Sequence, residues 1–257
     1  MISKMAFQNN LKVVLNGLGG DELFGGYDVF SKIELWNKLK KNKHFINLIP
    51  NIHPKISKAH EIANLNSLGQ LYSHYYSTYR DSDLGSLFKG NNYSTQHTIS
   101  NLYNKNNIPF TDTFEAMSFY NLKSYIGNHQ TRMVDQFTMN FSLEGRLPFL
   151  DHNFIATSFK IPTKYKVKNE VQKYILKEVA KKHIAPSCIT MNKKGLRLPL
   201  EHWISNDLKN IVEESIQKLK NRFIFDNNEI DNILKLNNKQ MVWQLVSTEL
   251  WLERFIN

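Results

Sequence analysis

The chain has 257 residues, 41% of them hydrophobic and 22% charged, which suits a globular protein with a sizeable core in one large or two small domains. No stretch is long and apolar enough to span a bilayer, the N-terminal MISKMAFQNN has no signal-peptide core, and the single Cys188 excludes an internal disulfide framework, so a reducing, cytoplasmic setting is expected. The net charge of +10 would suit a nucleic acid, but the lysines are dispersed among abundant asparagines, and a solvated surface explains them better.

In chain order, Ile2 to Gln8 reads as the end of a helix, with Ile2, Met5 and Ala6 on one face. Leu11 to Asn16, LKVVLN, reads as a short buried strand. Gly17 to Gly20 turn the chain, and Asp21 opens a helical segment, where an acid is favourable on dipole grounds alone. From Tyr27 to about Phe110 the pattern is mostly helical, interrupted by NLNSLGQ and KGNNYSTQ, and Tyr72, Tyr75, Tyr76 and Tyr79 form an aromatic stripe that suits a core. Thr111 to Phe141 continues as helices. SLEGRLPFLDH reads as a turn ending near Pro148, with a helix from Asp151. Val171 to Lys182 has an amphipathic pattern with Val171, Tyr174, Ile175 and Val179 on one side, and QMVWQLVSTELWLERF is a further helix. One strand among many helices is an odd order, because a lone strand leaves backbone groups unpaired; its partners must come from elsewhere.

The stretch from Val13 to Tyr27, VVLNGLGGDELFGGY, carries the densest chemistry. A strand, a glycine turn and a helix start can bind an anion, because free N–H groups face outward there. The usual nucleotide fingerprints fail: Glu22 occupies the last glycine position of a dinucleotide motif, and Gly25 is followed by Gly26 and Tyr27 instead of Lys and Ser or Thr. What remains is either a structural turn or a phosphate site with Asp21 or Glu22 as a hard-oxygen metal ligand. The nine scattered histidines form no zinc pattern.

This stretch closely resembles the second signature of the asparagine synthetase family, S-G-E-G-S/A-D-E-L/V-F-G-G-Y. Four further stretches fit the same family in the same order: RMVDQFTMNFSLEGRLPFLDH, VQKYILKEVAKKHIAPSCI, NKKGLRLPLEHWI and WQLVSTELWLERF. The resemblance covers nearly the whole chain, weakly between about residues 30 and 110. It implies an α/β synthase domain of the adenine nucleotide alpha-hydrolase (ATP pyrophosphatase) type. It also implies use of ATP and Mg²⁺ to turn a carboxylate, by default the aspartate side chain, into an acyl-adenylate that an amine converts to an amide. Onto that chemistry the resemblance maps Asp21 as the metal ligand, Asn16, Gly17, Gly19 and Gly20 as nucleotide-binding, and Lys173 as the catalytic lysine that stabilises the phosphate transition state. Glu144, Arg146, Asp151 and Asp135 match polar positions that either shape the site or touch the ligand. Lys193 and Lys194 could add positive potential.

Three departures qualify the mapping. Leu18 stands where the family carries a glutamate at the acyl-transfer centre, Gln136 replaces the arginine after Asp135, and the chain contains neither the S-G-G-x-D-S pyrophosphate loop nor the N-terminal cysteine of a glutaminase domain. Residues 1–257 are therefore expected to be the C-terminal portion of a synthase domain, mostly helical, with the glutaminase domain and the first half of the synthase domain absent. Its expected partners are ATP, a carboxylate substrate and a separate polypeptide carrying the missing half or a glutaminase, and neither a membrane nor a nucleic acid. A different carboxylate acceptor, on a sugar or a peptide, and a non-catalytic remnant of the fold are the competing readings.

Overall fold

The LKVVLN run does form a strand, β1 (Val13–Leu15), and its partner lies in the same chain. β1 pairs in parallel with β2 (Glu144–Arg146), Val14 standing opposite Gly145. The Glu144 N–H donates to the Lys12 carbonyl and the Asn16 N–H to the Arg146 carbonyl, each at 2.9 Å. The reading of SLEGRLPFLDH as a turn therefore holds only for its second half. Two charged residues around a glycine carry no strand signal; β2 is selected by the register of β1 and by packing. A Cβ on Gly145 would lie 3.0 Å from Val134 and 3.2 Å from Thr138, so a larger residue would push on the helix behind the strand. The expectation of a buried strand is also corrected, because Val13 and Leu15 are exposed. Parallel strands are usually covered on both faces, whereas β1 has β2 as its one strand partner among the described residues.

The computed structural model describes residues 2–88, 110, 112–190 and 198–256. It divides into two units, residues 1–71 with 106–191 and residues 72–105 with 192–257. Both are mostly helical. In the first unit, α1 (Ile2–Gln8) leads into β1, and the glycine turn leads into the five-residue α2 (Gly20–Phe24) and then α3 (Asp28–Lys41). The helices α4 (Lys43–Leu48) and α5 (Pro54–Ala63) follow. The helical expectation from Thr111 to Phe141 is met by α8 (Thr113–Asn121), a π-helical stretch Leu122–Gln130 and α9 (Thr131–Met139). After β2 come a 3₁₀ turn (Pro148–Leu150), α10 (His152–Phe159) and α11 (Thr163–Lys166).

The amphipathic reading of Val171 to Lys182 is only partly realised, because α12 spans Tyr174–Ala180. Val171 and Val179 are exposed, so the apolar face is not a core face. Lys173 itself lies outside the helix in the left-handed region at φ 55°, with its amide donating to the Phe24 carbonyl at 3.1 Å. A left-handed residue cannot belong to a right-handed helix, so the helix starts one residue later, and the tertiary hydrogen bond satisfies an N–H that has no acceptor within the helix.

The first unit ends with α13 (Pro186–Thr190), and the second unit contains α7 (Asp81–Leu87), α14 (Leu200–His202), α15 (Lys209–Asn221), α16 (Asn227–Leu236) and the C-terminal α17 (Lys239–Phe255). Their core includes Leu219, Ile230 and Val246, all fully buried. The tyrosine stripe is cut, since α6 (Leu68–Tyr76) ends before Tyr79. Tyr72 and Tyr79 are buried, and the Tyr79 hydroxyl donates to the Met241 carbonyl at 2.8 Å. Tyr75 and Tyr76 are only half-buried. KGNNYSTQ, Lys193 and Lys194 lie outside the described residues.

Two buried charges have opposite circumstances. Glu249, fully buried on α17, receives Arg222 through Nε at 2.6 Å and Nη2 at 2.9 Å. Lys166 is also fully buried, yet its Nζ has no hydrogen-bond partner among the described residues; it rests 5.2 Å from the centre of the Phe114 ring and 5.3 Å from that of Phe159. Burial lowers its ammonium to about 8, against a smaller upward pull from Glu115 and Asp112.

Glu249→Ala is expected to destabilise the protein, because it leaves the part-buried Arg222 guanidinium without this carboxylate, and urea titration of the protein measures this. Lys166→Met is expected to stabilise by about 1–4 kcal/mol at neutral pH, since an apolar side chain replaces an unpaired buried charge. The sign follows from linkage: the unfolded amine holds its proton more tightly than the folded one, so native Lys166 weakens folding below pH 8. The variant's advantage should therefore shrink as the pH rises from 8 toward 10.5, which denaturation midpoints across that range would reveal.

Candidate functional site

The glycine turn and the turn after β2 fold against each other. Phe24, Phe149 and Phe154 make a triangle of rings with centres 6.3, 6.2 and 5.3 Å apart, two of the contacts edge-on and the third nearly perpendicular. Gly19, at φ 99°, caps α2 in a conformation that disfavours a side chain, and a Cβ there would lie 2.4 Å from Leu150. Gly20 is closest to the Phe149 ring. Gly17 has open space around it. Of the candidate nucleotide-binding residues, Gly19 thus has a packing role of its own, whereas a Cβ on Gly20 would meet Phe149 at ordinary contact distance. Asn16 uses its side-chain oxygen to accept the Leu18 N–H at 2.9 Å, an Asx turn that holds the loop.

The two adjacent acids of α2 have different fates. Asp21 is about 29% exposed and meets the Nζ of Lys173 at 2.8 Å; the lysine is 28% exposed. Two stretches some 150 residues apart in the chain thus converge on one ion pair. Glu22 turns inward, 1% exposed, and accepts the Tyr27 hydroxyl in a short hydrogen bond. Its backbone carbonyl accepts the Ser118 hydroxyl at 2.8 Å. Burial, and then the hydrogen bond to Glu22, drive the Tyr27 hydroxyl far above the usual tyrosine range, so it stays protonated and donating. Between the two acids that could have held a metal, only Asp21 faces outward.

The polar set around β2 is structural in its visible contacts. Glu144 and Arg146 are both exposed and form a two-pronged pair, Nε to Oε1 at 2.8 Å and Nη2 to Oε2 at 3.2 Å. The Arg146 side chain, hydrogen-bonded to Glu144, holds that carboxyl below the usual range. Asp151 caps α10, accepting from the amides of Asn153 at 2.9 Å and Phe154 at 3.1 Å. Asp135 is exposed on α9 and is not joined to Asp21 or Lys173 by a hydrogen bond or ion pair. Tyr27 and Ser118, which secure Glu22, had no role assigned from the sequence; the spacing of Glu22 and Tyr27 in DELFGGY is their one local signal.

No group of three or more His, Cys, Asp or Glu side chains that could hold a metal occurs among the described residues. Mg²⁺ that arrives with a polyphosphate usually takes one or two protein carboxylates and fills its shell with phosphate oxygens and water. A single outward carboxylate beside an ammonium fits that mode, and Asp21 supplies it.

The asparagine synthase family model matches residues 1–253, so the chain belongs to the asparagine synthase family. A glutamine-hydrolyzing asparagine synthetase 1 of Bacillus subtilis (strain 168) is 22% identical over 257 residues, covering 95% of this chain and 40% of that protein. A Mycobacterium tuberculosis (strain H37Rv) protein named "Putative asparagine synthetase (glutamine-hydrolyzing)" is 25% identical, covering 77% of this chain and 31% of its own length. The amidase chyE of Penicillium rubens is 24% identical over 253 residues, covering 84% of this chain and 36% of the amidase. The chain thus spans about two fifths or less of the length of these relatives. No solved structure matches. No helix among the described residues is long and apolar enough to cross a membrane.

Tyr27→Phe should remove the hydroxyl that donates to the buried Glu22 carboxylate. A loss of about 1–3 kcal/mol is expected, read as a lowered midpoint in chemical denaturation, whereas an unchanged midpoint would mean that the pair carries no stability.

Proposed function

We propose that this chain carries part of an ATP-dependent carbon–nitrogen ligase that forms an amide through an acyl-adenylate, with aspartate to asparagine as the default conversion. The observation that carries the reading is the Asp21–Lys173 pair, in which two motifs of the family resemblance meet at 2.8 Å. In the first half-reaction a carboxylate oxygen attacks the α-phosphate of ATP and pyrophosphate leaves. Lys173 presents a cation to the charge that builds on the phosphates. Asp21 presents a carboxylate oxygen to the Mg²⁺ of the nucleotide, which when bound would neutralise part of that charge. The Asn16 to Gly20 loop would contact the nucleotide, as the family resemblance implies. In the second half-reaction an amine attacks the acyl carbon, loses a proton and displaces AMP. A separate polypeptide carrying the remaining synthase half, or a glutaminase supplying ammonia, would complete the cycle, in a cytoplasmic setting.

Leu18 favours a second reading within the same chemistry. Its side chain accepts no proton, and its N–H is already held by Asn16. The attacking amine must then surrender its proton to water or to another group, which suits a carboxylate other than free aspartate, on a sugar or a peptide.

Carboxylate-dependent exchange of labelled pyrophosphate into ATP tests the reading when the chain is supplied with a polypeptide bearing the S-G-G-x-D-S half. Exchange is expected, and Lys173→Met should reduce it about 100-fold. Absence of exchange with every carboxylate offered would remove the enzymatic reading. Leu18→Glu should raise asparagine formation if aspartate is the substrate; no asparagine from that variant, with exchange intact, would point to the other acceptor.

A further inference from the structure

The turn after α2 contains two adjacent glycines, and they are glycine for different reasons. Gly25 lies at φ 71°, and a Cβ there would sit 2.7 Å from the Phe114 ring and 2.7 Å from Val167. Both demands belong to the fold. Gly26 has no left-handed backbone and therefore no conformational need for glycine. A Cβ on Gly26 would instead fall 1.8 Å from Oδ1 of Asp21 and 2.3 Å from Cε of Lys173. The space that a side chain at position 26 would fill is the space in which the two charges meet.

The surroundings keep that space in place. The Gly26 N–H donates to the Asp21 carbonyl at 2.7 Å, so residue 26 cannot retreat from Asp21 without losing a backbone bond. The Lys173 amide is tied to the Phe24 carbonyl two residues before Gly26, which keeps the lysine backbone on the same turn. The atoms nearest to such a Cβ are side-chain atoms of Asp21 and Lys173. A methyl group would strike those side chains first, so they would have to swing apart.

We propose that Gly26 is a positioning residue for the candidate site: its missing side chain sets the separation of Asp21 and Lys173, and so reserves the site for a metal-bound polyphosphate that touches carboxylate and ammonium together. The proposal rests on the reading of Asp21 and Lys173 as the metal and phosphate groups. Alanine at position 26 would displace the carboxylate from the ammonium.

Limiting acetylation with acetic anhydride, followed by peptide mass spectrometry, reads the state of Lys173 without any nucleotide, with the exposed Lys12 as internal reference. An Nζ held by Asp21 reacts more slowly than a released one. Gly26→Ala and Asp21→Ala should each raise Lys173 labelling several-fold over Lys12. The double variant should label no faster than Asp21→Ala alone, because both changes act on one pair; general loosening of the fold would instead add. Unchanged labelling in Gly26→Ala, or an additive double variant, would overturn the proposal. If Gly26→Ala lowers the thermal midpoint, Asp21→Ala in the same chain should recover it by removing the group that the methyl strikes, and failure to recover would also count against the proposal. Pyrophosphate exchange is scored separately. Altered labelling in a protein that never exchanges would sink the adenylation reading and leave the role of Gly26 standing.

Discussion

The close packing of the glycine turn on the Pro148–Leu150 turn is the constraint on which the first unit's site depends. Gly19 lies too near Leu150 to bear a side chain, Gly20 packs at van der Waals distance from Phe149, and the rings of Phe24, Phe149 and Phe154 interlock across the junction. Aromatic pairs in tilted and perpendicular geometry add roughly 0.5–1.5 kcal/mol each beyond simple burial. This contact joins residues that are 130 positions apart, and it continues the parallel register of β1 and β2. Once that junction is formed, the direction of α2 is set, and with it the outward aim of Asp21 and the inward aim of Glu22.

Successive residues on a helix point about 100° apart, and α2 uses that angle to separate two roles. Glu22 is satisfied by the Tyr27 hydroxyl and anchors the return of the chain through Gly25 and Gly26. Asp21 keeps its carboxylate at the surface, where Lys173 reaches it. Lys173 occupies a left-handed conformation that is uncommon for a residue with a side chain, and such conformations cost of order 1–3 kcal/mol unless the surroundings hold them. The hydrogen bond from its amide to the Phe24 carbonyl is the restraint visible here. Lys166, seven residues earlier, shows the opposite arrangement, an ammonium buried between two rings and paired with no acid among the described residues. Two lysines of one short segment thus differ entirely in environment.

Much of the architecture was legible from local pattern. The helix from Ile2 to Gln8, the strand in LKVVLN, the helix after Asp151 and the C-terminal helix all carry their signals within a few residues: apolar spacing, β-branching, or a capping carboxylate. The candidate residues Asp21 and Lys173 were legible through the ordered motifs of the asparagine synthase family, whose model covers residues 1–253. What escaped was non-local. β2 is a strand because β1 lies beside it, and nothing in Glu-Gly-Arg announces that. The helix expected from Val171 begins at Tyr174 because Lys173 lies in the left-handed region, held there by its hydrogen bond to the Phe24 carbonyl.

By itself the sequence determined the family, the mostly helical character and the pair of residues on which the chemistry is proposed to turn. These follow from short-range periodicity and from motifs whose order along the chain is their information. The tertiary structure decided which of two neighbouring acids faces outward, which glycines serve packing and which leaves room for charge, and where Asp151 and Glu144 spend their hydrogen bonds. It alone could do so, because a side chain's direction and the volume beside it depend on atoms contributed by distant parts of the chain. Gly25 and Gly26 are identical letters in the sequence; one is required by its backbone angle and a phenyl ring, the other by the space that Asp21 and Lys173 occupy.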